Sequence, residues 1–233
     1  MFNDRKVSVV MPAYNEEEAI YKVVKDFKNN RYVDEVIVVD NNSEDRTAEL
    51  AKKAGAKVVK EKKQGYGYAC RRALNEASGD FIILVESDDT FLSRDILKFL
   101  AYTDDFDFIL GTRTSKELVW KGANMGSFLK WGNWFVAKLI EFLYNGPSLT
   151  DAGCTYRLIK KEALEKIKNK FRVGGSEFSP EMIILAIKNG IKTIEIPVNY
   201  RKRKGESKIT GKKWSALLLG LRMIKLIISY RIG

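Results

Sequence analysis

Short runs of aliphatic and β-branched residues alternate with helical stretches through the first 110 residues, and this alternation restricts the fold more than any other feature. Val7-Ser8-Val9-Val10-Met11 is closed by Pro12, and Val36 to Val39, Ala56 to Val59, Phe81 to Val85 and Phe106 to Leu110 are further short apolar runs. Between them Ile20, Val23, Val24 and Phe27 recur at helical spacing, and helices are expected over Ser43 to Ala54, Tyr68 to Ala77 and Ile96 to Leu100. Strands this short, separated by helices, need crossover connections. The expectation is therefore an α/β domain with a Rossmann-like, mostly parallel sheet flanked by helices.

Such sheets bind ligands beyond the carboxyl ends of their strands. Three polar, acid-bearing clusters fall there: Ala13-Tyr14-Asn15-Glu16, Asp40-Asn41-Asn42-Ser43 and Glu86-Ser87-Asp88-Asp89. Two carboxylates two positions apart, Glu86 and Asp88, suit a divalent ion held on a diphosphate. Asp40 at a strand tip can accept the imide N–H of a nucleobase, although Asn42 or Ser43 reads equally as a helix cap. Gly65-Tyr66-Gly67 lacks the third glycine of a dinucleotide fingerprint, and no P-loop lysine follows.

Composition narrows the chemistry. The 233 residues contain no histidine, which excludes histidine bases, triads and metal ligands. Any metal is left to carboxylates, amides or phosphates, which favours Mg2+ or Mn2+. Cys70 and Cys154 are far apart and read as free thiols of a reducing compartment. The N-terminus runs into a strand without a leader pattern, and no segment has the roughly 18 uncharged apolar residues of a membrane span.

Beyond Gly111 the pattern changes. Residues 120–145 read as helical and aromatic-rich, helices are expected near 161–168 and 178–189, and Thr193 to Ile196 reads as a strand. From Tyr200 to Gly233 ten Lys or Arg face a single acid, Glu206, so +9 of the net +11 lies in this tail. A helix over about 212–231 places Ser215, Arg222 and Ser229 on one face with Lys225 beside them, and its remaining surface is apolar. That pattern suits a helix lying in an anionic membrane surface, and equally a final helix packed on the core with a basic stripe outward.

These residues resemble a known family. Val7 through Glu17, Asp40-Asn41-Asn42-Ser43-x-Asp45-x-Thr47 and Glu86-Ser87-Asp88-Asp89-Thr90 look like the motifs of glycosyltransferase family 2, with Glu86 where the usual motif has Asp. Gly111-Thr112-Arg113, Gly132-Asn133, Asp151 through Arg157, Glu177-Phe178-x-x-Glu181 and Arg203-x-Gly205-x-Ser207-Lys208 are similar to the polyprenyl-phosphate branch. The resemblance implies a GT-A fold and an inverting, metal-dependent transfer from a UDP- or GDP-sugar to a polyprenyl or dolichyl phosphate at the cytoplasmic face of a membrane. It implies nucleotide-sugar contacts from Pro12, Ala13, Tyr14, Glu16, Asp40, Asn42, Gly65, Glu86 and Ser87, with Glu86 and Asp88 on the metal. Asp88, Arg113, Arg203 and Lys208 become the catalytic candidates. Arg113, Asp151, Arg157, Arg203 and Lys208 become the acceptor contacts, since arginine forks onto phosphate oxygens.

A catalytic domain over 1–211 is expected, its donor half ending near 113 and its acceptor half at 211, followed by the 212–233 helix. The rival enzyme reading is a hydroxyl acceptor with Asp151, Glu177 or Glu181 as base. The basic tail also admits a nucleic-acid binder, but no RNA- or DNA-binding module is present, so no nucleic-acid partner is expected.

Overall fold

The computed structural model describes residues 1–123, 126–204 and 213–232, without the side chains of 127, 128 and 213. Its strands are β1 (Val7–Ala13), β2 (Glu35–Asp40), β3 (Lys57–Lys60), β4 (Phe81–Leu84), β5 (Phe108–Thr112), β6 (Arg157–Lys160) and β7 (Thr193–Pro197). The helices are α1 (Ile20–Lys28), α2 (Thr47–Lys53), α3 (Tyr66–Glu76), α4 (Ile96–Leu100), α5 (Ser127–Tyr144), α6 (Lys161–Ile167), α7 (Phe178–Lys188) and α8 (Lys213–Ile232).

One sheet carries the strands in the order β3-β2-β1-β4-β6-β5-β7. All neighbouring pairs are parallel except those made by β6, which runs antiparallel between β4 and β5. The sheet is thus mostly parallel, as expected, and β6 is the strand the residue pattern did not announce. Alternate residues of β1 serve opposite cores. Val7, Val9 and Met11 pack with Ile20, Val24 and Phe27 of α1 and with Phe99 of α4, whereas Val10 faces the side of α3, α5 and α7. Burial on both faces explains why these strands read as continuous apolar runs.

The second helix begins later than expected, at Thr47. Residues 41–46 are used instead to tie two strand ends together. Ser43 Oγ accepts from Asn15 N at 3.0 Å, Asn15 Oδ1 from Glu44 N at 2.8 Å, and Thr47 Oγ1 from Glu16 N at 2.7 Å. Ser43 therefore serves the β1 loop and does not cap α2. The helical reading of 120–145 likewise narrows to 127–144. Trp120 stands outside the helix, with its N–H on Tyr200 O and its indole Nε1 on Asn199 Oδ1.

The last helix is neither purely a core helix nor a free one. Leu219, Met223, Ile227 and Tyr230, spaced four, four and three residues apart, are buried against α5 and α7. Trp214, Leu217, Leu218, Leu221 and Ile228 remain exposed beside Arg222 and Lys225. Among the described residues no helix is long and apolar enough to cross a membrane.

Candidate active site

The carboxyl ends of β1, β2 and β4 open into one cleft of about 1020 Å³. Pro12, Ala13, Tyr14 and Glu16 line it from β1, Glu86, Ser87 and Asp88 from β4, and Arg113 and Arg203 from the far side, so most of the expected donor and catalytic residues converge there. Ser87 Oγ donates to Pro12 O at 2.9 Å and locks the first and fourth strand ends together.

The β2 end behaves differently. Asp40 is buried and accepts Ser43 N at 3.1 Å, while Asn42 adopts a left-handed conformation and donates to Lys62 O. Neither lines the cleft. Asn41, which the motif reading passed over, does. Its Nδ2 donates to Glu61 O and Lys63 O, and its Oδ1 accepts Gly65 N at 2.8 Å, so it fixes the loop that carries Gln64 and Tyr66 to the cleft. Gly65, expected as a donor contact, does not itself line the cleft but shapes this loop: its φ is +144°, and a Cβ there would stand 2.3 Å from Gly174 O.

Electrostatics concentrate around Asp88. Arg203 Nη1 donates to Asp88 Oδ2 at 2.9 Å and Nη2 pairs with Glu16, while Thr90 N donates to Asp88 Oδ1 at 3.1 Å. The strand-end loop is strapped down by residues 200–204, with Arg201 N on Thr90 O at 2.9 Å and Lys204 N on Asp88 O at 3.1 Å. Burial, reinforced by the neighbouring Asp88, pushes the Glu86 carboxyl up to about 8, against the pull of Arg203 and Arg113. Arg203 Nε is enclosed without a partner among the described residues, a donor left over for an anionic oxygen.

A divalent ion fits this set as a shared ligand. Glu86 and Asp88 supply hard oxygens, but among the described residues no three acidic or sulfur groups converge into a complete cage. The remaining positions fall to substrate oxygens and water, as is usual for Mg2+. One Asp88 oxygen is engaged by Arg203, which has to yield it.

The acceptor candidates separate into three groups. Arg113 and Asp151 meet, but in a bidentate pair: Nε to Oδ2 at 2.7 Å and Nη2 to Oδ1 at 2.9 Å, with Arg113 N also on Oδ2 at 3.1 Å. Burial alone would lower the guanidinium's pKa, yet the adjacent carboxylate holds it well above its usual range. The guanidinium also stands 5.1 Å from the centre of the Tyr200 ring, and both residues line the cleft. Arg157 is a correction. It is 1% exposed, and its nitrogens donate to Cys154 O, Ser179 O and Ala152 O, so it braces the 152–155 loop against α7 and does not reach an acceptor. Lys208, with Gly205 and Ser207, lies outside the described residues.

The three acids proposed as a hydroxyl-activating base are all engaged. Asp151 is held by Arg113, and Glu177 pairs with Arg222 of α8 at 2.8 Å. Glu181 is fully buried, accepting Arg172 N at 2.7 Å and the Tyr230 hydroxyl at 2.6 Å.

The cleft also has a wall that no motif announced. Leu129, Trp131, Phe135 and Val136 of α5 face Leu217, Leu219, Leu221 and Met223 of α8 across it. Trp131, Phe135 and Trp214 are 66%, 54% and 70% exposed, too much apolar surface to leave to water without a purpose.

Comparison with known proteins gives concordant matches. The model of glycosyl transferase family 2 matches residues 8–168. A dolichyl-phosphate hexose transferase of Haloferax volcanii is 33% identical over 230 residues, covering 97% of this chain and 96% of that one. A UDP-N-acetylglucosamine–dolichyl-phosphate N-acetylglucosaminyltransferase of Methanococcus voltae is 28% identical over 252 residues, covering 96% and 99%. Among solved structures, glucosyl-3-phosphoglycerate synthase of Mycobacterium tuberculosis, in complex with Mn2+, UDP and phosphoglyceric acid, superposes with a TM-score of 0.75 at 19% identity. That match covers 98% of this chain and 79% of the other, and at this identity it speaks for the shared GT-A fold alone.

Proposed function

The chain belongs to glycosyl transferase family 2, and on that premise we propose that it moves a sugar from a UDP- or GDP-sugar to a dolichyl or other polyprenyl phosphate, with inversion at the anomeric carbon. One observation carries this reading: the acidic strand ends and the apolar trough between α5 and α8 belong to a single cleft. A sugar nucleotide matches the first part and a prenyl chain the second.

Pro12, Ala13, Tyr14 and Glu16 take the nucleotide end, with the Asn41-supported loop against it and Asp40 beneath. Glu86 and Asp88 are the residues that would hold Mg2+ or Mn2+, and the ion would supply charge compensation for the leaving diphosphate. Arg203 turns its unsatisfied Nε to the same oxygens. Arg113 offers its cleft-lining guanidinium to the acceptor phosphate while Asp151 and Tyr200 fix its plane, and Lys208 is assigned to the same anion. A phosphate monoester arrives ionised and needs no base, which agrees with the engagement of Asp151, Glu177 and Glu181. A hydroxyl acceptor would need one of them released.

The membrane partner follows from the same trough. Exposed aromatic and aliphatic residues of α5 and α8, flanked by Arg222 and Lys225, suit the interface of an anionic leaflet. The acceptor then enters laterally, and the protein works as a peripheral protein at the cytoplasmic face. The test is transfer from radiolabelled UDP-glucose, UDP-N-acetylglucosamine or GDP-mannose, with Mn2+, to dolichyl phosphate in vesicles against 3-phosphoglycerate in solution. Butanol-extractable product is expected. Faster transfer to phosphoglycerate would sink the lipid assignment.

A further inference from the structure

Between its charged and its apolar residues the cleft presents a third chemistry. Asn133, Thr155, Ser176 and Ser179 line it, and none of their side chains has a hydrogen-bond partner among the described residues. Thr155 and Ser179 are only 7% and 5% exposed, yet their hydroxyls are not sealed behind the wall. Buried polar groups ordinarily find partners, so the two buried, unpaired hydroxyls of Thr155 and Ser179, with the partly exposed Asn133 and Ser176 beside them, mark a place where a ligand supplies them.

The set is built. Thr155 follows the loop that Arg157 clamps through Ala152 O and Cys154 O, and Ser179 stands in the first turn of α7, where its own carbonyl accepts from Arg157 Nη1 at 2.6 Å. Asn133 lies over Gly153 so closely that a Cβ there would be 2.4 Å from its Oδ1. One buried guanidinium thus sets the spacing of residues from two separate elements.

We propose that Asn133, Thr155, Ser176 and Ser179 form the subsite for the donor's sugar ring, a refinement that rests on the donor reading above. The four groups are neutral, and each can both donate and accept, except that the amide divides these roles between two atoms. A sugar ring offers hydroxyls of the same kind around its edge. Phosphates are served elsewhere by Arg113 and Arg203, and Glu177, beside Ser176, is an acid that would repel a phosphate. A site that hydrogen-bonds sugar hydroxyls also discriminates among sugars, because an epimer leaves buried groups unpaired.

The test compares each sugar nucleotide with its own nucleoside diphosphate by calorimetry in the presence of Mn2+: UDP-glucose and UDP-N-acetylglucosamine against UDP, and GDP-mannose against GDP. Thr155→Val combined with Ser179→Ala removes two hydroxyls and keeps their shapes. The preferred sugar nucleotide should bind about tenfold more weakly, while the bare diphosphate stays within about twofold. Thr155→Ser restores a hydroxyl and should recover part of the loss, which guards against a general packing defect. Equal weakening of sugar nucleotide and diphosphate would overturn the assignment. So would unchanged donor binding with a raised KM for dolichyl phosphate, which would give the belt to the acceptor. If the unaltered protein binds none of the three sugar nucleotides, the donor reading itself fails, an outcome distinct from either.

Discussion

Replacing Asp151 by alanine should destabilise the protein well before it reports on chemistry. Asp151 and Arg113 have side chains only 1% and 11% exposed, and three donors of Arg113 converge on the two carboxylate oxygens. Removing one partner of a buried pair leaves the other charge uncompensated, which costs about 3–5 kcal/mol. For a domain of this size each kcal/mol shifts Tm by about 2–4 °C, so a fall of about 6–20 °C is expected. Arg113→Met should cost a similar amount. The double replacement removes both charges and should be less destabilised than the sum of the singles, with a coupling of about 2–3 kcal/mol. Urea unfolding of the four proteins, read by circular dichroism, closes the cycle. The opposite result is equally clear. If Asp151→Ala keeps its unfolding midpoint, loses kcat and loses a pKa from its pH–rate profile, Asp151 is a base and the hydroxyl-acceptor mechanism returns.

Asp88→Asn should abolish transfer and Mn2+-dependent donor binding. Because Asp88 is buried and paired with Arg203, it should also cost about 1–3 kcal/mol of stability; near-normal turnover would remove it from the metal site. Arg203→Met should raise the affinity for Mn2+ without nucleotide several-fold, read as free Mn2+ by electron paramagnetic resonance, since Arg203 competes for Asp88; unchanged affinity refutes the competition. Glu35 is opposed by burial, yet hydrogen bonds from Ser8 and Ser78 win and hold its pKa below the usual value. Its stabilisation is thus present above the unfolded pKa and lost as pH falls through the folded one, so the Tm deficit of Glu35→Gln should be full at pH 7 and shrink steadily as the solution is acidified below the usual carboxylate range; a deficit that does not change with pH refutes the linkage. Trp131→Ser with Leu218→Ser and Leu221→Ser should abolish sedimentation with anionic vesicles while leaving Tm nearly unchanged, because these side chains are exposed; undiminished binding places the contact elsewhere.

What the sequence made legible follows from what each residue type can signal. Strands buried on both faces announce themselves as apolar runs, so β1, β2 and β4 and the acids after them could be placed from residue pattern alone. Strand β6 could not, because Arg157-Leu158-Ile159-Lys160 is four residues with a charge at each end, and its central place in the sheet arises from topology. Arg157 misled for a related reason. Charge argues for solvent and, in an acceptor motif, for phosphate, but three converging carbonyls supply the alternative that allowed it to be buried. Asn41 carried no such signal: β2 ends at Asp40, and the left-handed turn at Asn42, which no strand alternation describes, decides which of the three side chains faces the cleft.

The final helix shows the limit most clearly. With apolar residues almost all round, its pattern cannot say which stripe is core. The packed stripe Leu219, Met223, Ile227 and Tyr230 is chosen by where α5 and α7 leave room. The choice has a functional consequence. Cutting the helix away would remove four core side chains, so truncation would confound membrane attachment with folding. Only substitutions on the outward stripe separate the two, because their apolar surface is already in water in the folded protein. Removing it costs the fold little, whereas each large side chain transferred to a bilayer contributes on the order of 1–3 kcal/mol to attachment. Residues that stabilise the enzyme and residues proposed to bring it to its lipid thus share one helix on opposite faces, and the apolar trough of the cleft lies between them.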